Sequence, residues 1–350
     1  MINLFNILNN HVMKKIILIA LYTLSTLILM GQEAETMEAE SPTSALSFSG
    51  TVDAYFRSNN EAPGTSFANL PGFSLGMVNL VSSYEGETVG FVGDLVFGPR
   101  GEDATFLSPE LRPGGSSNIV NQLYMYVNLT EKVKFTLGNF NTFLGYEVIQ
   151  PNANFNYSTS YMFSYGPFSH TGLKMDADLG GGLSLMLGVF NPTDATEFNP
   201  ITDDGGNDYF GGAQLGYSFD AGSAYVNTLF GPDYFQIDLT AGVDVTEAIY
   251  IGVNATTASD DLFAGVAGYF QVATSDAFKI GARVETFSDD GVGVIAQDES
   301  VVAFTLSANY TVDNLTLIPE FRVDSASVDV FDGGTSGSLT SFVLAAVYGF

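Results

Sequence analysis

The sequence predicts an all-β chain folded as a transmembrane antiparallel β-barrel of about 16 strands, with short periplasmic turns and longer extracellular loops. Three observations carry this. Apolar and polar residues alternate with the period of a strand in stretches of about ten residues, each closed by a turn signal. The chain is apolar without being helical: mean hydropathy is +0.19, yet past Met30 no run approaches the roughly 18 apolar residues of a membrane helix. Only 14% of its residues are charged, against about 25% in ordinary globular proteins, too few to solvate an exposed sheet.

Ahead of the first stretch lies an export pattern. Lys14 and Lys15 form a positive n-region, and Ile16 through Met30 form a mostly apolar h-region, interrupted by Thr23, Ser25 and Thr26. That run is shorter than the roughly 20 residues a spanning helix needs. Residues 1–31 are therefore expected to be a signal peptide, with Met13 an alternative start, and residues 32–45 an acidic periplasmic linker before a barrel at 46–350. Cleavage would leave 39 acids against 9 bases, a net charge of −30. Nucleic acid is excluded as a partner, because binding it rests on basic patches.

In the first stretch, Leu46, Phe48, Gly50, Val52, Ala54 and Phe56 share one face, and Ser47, Ser49, Thr51, Asp53, Tyr55 and Arg57 share the other. Phe235 to Val245 repeats the pattern, with Gln236, Asp238, Thr240 and Asp244 on the polar side. Further strands are expected near residues 72–83, 88–97, 118–129, 132–140, 170–179, 183–190, 208–219, 223–230, 247–256, 261–273, 277–287, 300–312, 314–323 and 339–350. Connections alternate between tight turns, as at Glu85-Gly86 or Gly180-Gly181-Gly182, and longer loops such as 58–71, 98–117, 141–169 and 191–207. No helical pattern offers a second layer to cover the apolar face. An even-stranded closed barrel satisfies every backbone group without one. The 29 Phe and 17 Tyr cluster near strand ends, with Tyr84, Phe97, Phe190, Tyr217, Phe219, Tyr269, Phe270 and Tyr310 read as interfacial girdles.

The last strand ends Phe342-Val343-Leu344-Ala345-Ala346-Val347-Tyr348-Gly349-Phe350, with aromatics at the terminus and at alternate positions before it. This resembles the C-terminal signal of outer-membrane barrels, which implies that Tyr348 and Phe350 are read by the barrel assembly machinery. A second resemblance rests on Asn139-Phe140-Asn141-Thr142-Phe143-Leu144-Gly145-Tyr146-Glu147 and on Tyr165-Gly166-Pro167-Phe168-Ser169-His170-Thr171-Gly172. On these segments the chain is similar to the OmpL-like porins, the β-barrel porin type-two family. The resemblance implies an outer-membrane channel for small hydrophilic solutes.

A barrel of this size encloses an aqueous lumen, so the inward face supplies the candidate site. Strand parity places Arg57, Asp94, Lys134, Lys174, Asp176, Asp238, Lys279, Arg283, Glu285, Glu320 and Arg322 there as pore-lining residues, together with Asp53, Asp178 and Asp244. Arg283 beside Glu285 and Arg322 beside Glu320 form same-face pairs. The connection 141–169 is too apolar to be left in water. Through Phe155, Tyr157, Tyr161, Phe163 and Tyr165 it is expected to fold inward as a constriction, against the wall near Lys134 and Lys174. The loops at 191–208, 256–261, 287–300 and 323–339 hold 5, 2, 4 and 3 acids and no base, which predicts a negative mouth and a mild cation preference.

Other functions fare worse. The chain has no cysteine, which removes disulfides, thiolate sites and lipoprotein processing. A hydrolase needs a histidine base, and beyond His11 the chain has only His170, whose neighbour Ser169 points to the opposite face. No cofactor or metal site is expected. An energy-coupled receptor would need a plug domain, and only about fifteen residues lie between the export signal and the first strand. A structural or adhesive barrel stays open as the alternative. Expected partners are outer-membrane lipid, the assembly machinery, small solutes and further copies of the chain.

Overall fold

A computed structural model describes residues 46–107, 116–197, 209–259 and 262–350. The expected signal peptide and linker, and parts of three acidic loops, lie outside the described residues. Sixteen antiparallel strands close into one barrel in which each strand pairs with its neighbours in sequence and β1 pairs with β16. They are β1 Leu46–Arg57, β2 Gly72–Glu85, β3 Val89–Phe97, β4 Val120–Thr130, β5 Val133–Asn141, β6 Ser169–Gly180, β7 Leu183–Phe190 and β8 Phe210–Phe219. The second half comprises β9 Gly222–Gly231, β10 Tyr234–Thr246, β11 Ile249–Ala258, β12 Phe263–Ser275, β13 Phe278–Asp289, β14 Glu299–Val312, β15 Leu315–Ala326 and β16 Ser338–Gly349.

The burial pattern is that of a barrel in lipid. In β10, Phe235, Ile237 and Leu239 lie exposed on the outside while Gln236, Asp238 and Thr240 are buried inside. In β1 the same holds for Phe48 and Val52 against Thr51, Asp53, Tyr55 and Arg57. An apolar outer face costs nothing against hydrocarbon, and closure leaves no strand edge unpaired where water is absent. Two aromatics expected in the girdles belong elsewhere: Phe190 and Tyr269 are buried on the inward face, because parity rather than closeness to a strand end decides which side a residue takes. The long connections also contain helical turns that no periodicity announced, α1 at Pro99–Ala104 and α2 at Tyr161–Tyr165. Among the described residues no helix is long and apolar enough to cross a membrane.

Several strands run further than the alternation shows. β10 and β12 continue through Thr246 and Ser275, and the register slips by one residue just before the turn, as it also does at Asn128/Thr130 and Asp178/Gly180. Each slip is a bulge that re-aims the chain into a tight hairpin. The Thr246 hydroxyl closes one such turn by accepting from the N–H of Ala248 and of Ile249.

The seam of the barrel lies between β1 and β16. Phe350 N–H donates to Gly50 O at 3.0 Å, and Gly50 N–H donates to Phe350 O at 2.9 Å. The Phe350 ring lies against Gly50, where a Cβ would meet it at 2.8 Å, and Tyr348 sits between Val52 and Leu315 in the ladder. Changing Phe350 and Tyr348 to serine is therefore expected to reduce the heat-modifiable, folded form in outer-membrane fractions. Undiminished folded protein would show that the seam closes without them.

Candidate functional site

The chain between β5 and β6 turns into the barrel and is fastened to its wall mainly through its backbone. Glu320 accepts from the N–H of Tyr157 at 2.8 Å and of Ser158 at 3.1 Å. Glu285 accepts from the N–H of Tyr161 and Met162 at 3.0 and 2.9 Å. Asp238 accepts from Gly145 N–H at 2.9 Å, at a residue whose φ of +85° favours glycine. In return, Arg283 donates to Ser158 O at 2.8 Å and Arg322 donates to Thr159 O at 2.8 Å. A segment without regular structure has backbone groups to satisfy, and inward carboxylates and guanidiniums supply the partners that a ladder would otherwise give.

Side chains complete the attachment. Tyr157 donates its hydroxyl to Asp53 and tilts against Tyr55 at 5.6 Å between ring centroids. Burial, and then the Asp53 carboxylate beside it, pushes the Tyr157 phenol well above its ordinary value, so it acts as a donor. Tyr161 is fully buried, reaches Pro63 O and Asp324, and stacks on Phe287. Phe163 packs with Phe67 and Phe168, Phe155 lies over Gly281, and Tyr165 donates to Gly64 O.

These contacts place residues 155–163 against β12 to β15 and β1, across the lumen from the wall near Lys134 and Lys174 that the sequence suggests, while residues 143–146 lean on β8, β10, β11 and β12. The reason is the distribution of partners. Lys134 and Lys174 offer point charges, and each sits over a ring instead, Tyr126 and Phe140. The opposite wall offers carboxylates and forked guanidiniums that match backbone N–H and C=O.

All eleven candidate wall residues lie on the inward face, but they divide into two groups. Arg57, Asp94, Asp238, Arg283, Glu285, Glu320 and Arg322 are buried, so they hold loops and do not border open lumen. Lys134 and Lys279 are exposed, and Lys174 and Asp176 are half-buried and joined by an ion pair of 3.2 Å. The expected same-strand pairs are also replaced. Arg283 bonds Glu147 of the inward segment, and Arg322 bonds Asp324 at 2.8 Å, which frees Glu285 and Glu320 for backbone N–H groups.

Three contributors escaped sequence reasoning. Glu147 lies in a connection, where no strand parity assigns it to the wall. Arg100, from α1, donates to Ile149 O at 2.8 Å and lies 4.3 Å over Phe67. The connection 58–71 folds inward too, with Arg57 donating to Ala68 O and Thr159 to Ser66 O. The signal for the last was a few apolar residues, Phe67 foremost, in a segment otherwise rich in turn formers.

His170 is buried between Phe143 and Phe190, with Nε2 2.9 Å from the Thr142 hydroxyl. Beyond β7, Asp194 accepts from the N–H of Phe168 and Ser169 at 2.7 and 2.8 Å and so ties down the far end of the inward segment. Burial pushes its carboxyl up to about 6, against the lowering effect of those two bonds. A raised carboxyl pKa means that the folded state is penalised above pH 6 and relieved as pH falls through 6 toward the ordinary value of 3.8. The melting midpoint is therefore expected to rise between pH 7.5 and pH 5, and Asp194→Asn is expected to flatten that rise. An equal rise in the variant would assign the effect to other groups.

No group of three or more potential metal ligands occurs among the described residues. The open part of the lumen includes a cavity of about 390 Å³ between the start of the inward segment and β8 to β11.

Residues 45–350 match the family model described as "Putative beta-barrel porin-2, OmpL-like". No curated protein matches the chain in sequence. Among solved structures, the chain is similar to an anion-selective porin from Comamonas acidovorans, at 12% identity and a TM-score of 0.61, covering 88% of this chain and 100% of that one. It is also similar to the outer-membrane channel DcaP of Acinetobacter baumannii, at 14% identity and a TM-score of 0.58, with 90% and 100% covered. A third is OmpT of Vibrio cholerae in a trimer form, at 13% identity and a TM-score of 0.55, with 88% and 100% covered. These likenesses bear on the fold; the family match bears on what the barrel is. The chain belongs to the OmpL-like porin-2 family and is a porin of the outer membrane.

Proposed function

We propose that this porin conducts small hydrophilic solutes and ions by passive diffusion, along the part of the lumen bordered by β5 to β11, and that residues 142–168 form its constriction. The observation that carries this reading is the inward segment itself. Its residues 155–163 occupy the side of the lumen along β12 to β15 and β1 through bonds to Glu285, Glu320, Arg283 and Arg322, and its residues 143–146 narrow the other side by leaning on β8, β10 and β11. Lys134, Lys174 and Asp176 remain on the accessible wall, and Lys279 is exposed near the turn end of β13. His170 has no catalytic role in this reading, since aromatic rings enclose it.

The rest of the chain fits the same account. Residues 1–31 would direct export and be removed, 32–45 would form a periplasmic linker, and Tyr348 and Phe350 would be read by the assembly machinery. The chain would work in outer-membrane lipid, with a homo-oligomer compatible with its exposed apolar exterior.

Mild cation selectivity is expected from the loops. Asp324 is paired with Arg322, and Asp289 is spent on the N–H groups of Gly291, Gly293 and Ile295. Other loop acids, among them Asp290, Asp298 and Asp332, still carry a negative mouth with no base among them. Screening over a Debye length of about 8 Å confines the effect to ions already in the vestibule. Single-channel recording with reversal potentials across a KCl gradient tests both parts. Steady conductance with a cation-directed potential is expected. Clear anion selectivity would show that Lys134, Lys174 and Lys279 control permeation, and absence of conductance would overturn the channel.

A further inference from the structure

The cavity beside the inward segment carries a recognition surface of one consistent chemistry. Three tyrosines meet it, and each is laid over an inward glycine that has no side chain to lift it. A Cβ on Gly216 would meet the Tyr225 ring at 2.8 Å, one on Gly242 would meet the Tyr250 hydroxyl at 2.0 Å, and one on Gly252 would meet Tyr146 at 2.6 Å. Tyr146 and Tyr250 bond hydroxyl to hydroxyl at 2.7 Å, with Tyr146 as donor. Tyr146 in turn stacks on Tyr269 at 4.0 Å, which fixes its ring. The Tyr250 hydroxyl therefore keeps its own proton to donate.

Polar groups around the rings are equally free. The Tyr225, Ser223 and Thr240 hydroxyls line the cavity and have no hydrogen-bond partner among the described residues. Gln214 commits its amide N–H groups to Phe143 O and Asn227 and leaves its carbonyl oxygen available. Charge is absent in effect. Glu147 is the one ionisable acid or base among the lining residues besides the tyrosines, and it is consumed by Arg283 and by Ser160 N–H at 2.7 Å.

From this we infer that the cavity is a binding subsite for a neutral, polyhydroxylated ring, a carbohydrate of one or two sugar units, on the periplasmic side of the inward segment. A sugar ring presents a C–H face that packs on an aromatic ring, and an equator of hydroxyls that both donate and accept. The phenols, the Thr240 and Ser223 hydroxyls and the Gln214 carbonyl answer that equator without a charge that would favour an ionic solute. The volume of about 390 Å³ lies within the roughly 300–1,000 Å³ of ordinary small-molecule sites. Ser223 and Tyr225 follow the tight turn between β8 and β9, and Tyr250 follows that between β10 and β11, which sets the subsite at the periplasmic end. The inference rests on the diffusion-channel reading for its meaning as solute selection.

Full-length folded protein in a planar bilayer, bathed in KCl with lactose added on the periplasmic side, tests it. Lactose is expected to reduce the ion current with a saturating concentration dependence, and the acidic disaccharide lactobionate is expected to need at least about tenfold more for the same block. Tyr225→Ala is expected to raise the half-blocking lactose concentration about tenfold, while ion current without lactose persists, because Tyr225 bonds no part of the inward segment. Current without saturable lactose block, equal block by lactobionate, or block unaltered in Tyr225→Ala each overturns the subsite and leaves the channel reading standing. Absence of ion current overturns the channel reading instead. Calorimetric titration of detergent-solubilised protein with lactose then decides the subsite, which requires a binding heat that Tyr225→Ala weakens and is overturned by no heat or an unchanged one.

Discussion

Excising residues 152–164 is expected to raise single-channel conductance by about twofold or more, since conductance follows the narrowest cross-section of a pore, while the barrel still folds. The excision removes Tyr157 and Tyr161, with their bonds to Asp53, Asp324, Glu285 and Glu320. It leaves every strand pairing in place, because the barrel's ladders do not involve this segment. It should also change selectivity. Arg283, Glu285, Glu320 and Arg322, now covered, would face the open lumen as two acids and two bases. Bilayer recordings on a variant shown by heat-modifiability to be folded check the result. Unchanged conductance would mean that the segment does not limit the pore.

Arg283→Ala is expected to have the largest effect of any single substitution on the inward segment. Arg283 reaches Glu147, Ser158 O and Thr305 from one guanidinium, and it is fully buried. Its removal strands Glu147 without a cation, and breaking one side of a buried ion pair costs about 3–5 kcal/mol. The barrel ladders do not depend on the pair, so the cost falls on local attachment. Hydrogen exchange at Ser158 to Met162 should accelerate and the open-channel current should become noisy. The double variant Arg283→Ala/Glu147→Gln should recover part of the loss, because a neutral amide tolerates the site that a bare carboxylate does not. A double variant no better than the single one would show that the pair is not coupled.

The two expectations differ in what they owe to sequence. The wall is legible in the chain because lipid outside and polar groups inside impose a strict alternation. In β1 and β10 that alternation separates Phe48 from Asp53 and Ile237 from Asp238 by odd or even position alone. The aromatic composition of 141–169 likewise signals a segment that must leave water. Which wall it meets is not legible, because the pairing of Glu320 with Tyr157 N–H joins residues 163 positions apart and depends on barrel curvature and register. Parity could not reveal that Arg283 would turn from Glu285 on its own strand to Glu147 on a loop, nor that Arg100 in a helical turn would reach across to Ile149 O.

By itself, then, the sequence determined the barrel, a strand count of about sixteen and the inward parity of its clearest strands, since these follow from local periodicity and from the need to satisfy every backbone group in lipid. Only the tertiary structure decided which inward charges are spent as fastenings and which stay open, and that three tyrosines converge on glycine seats beside a neutral cavity. Those outcomes are set by long-range contacts between a loop and a curved wall, where the gain from satisfying a buried backbone group outweighs any preference written in neighbouring residues.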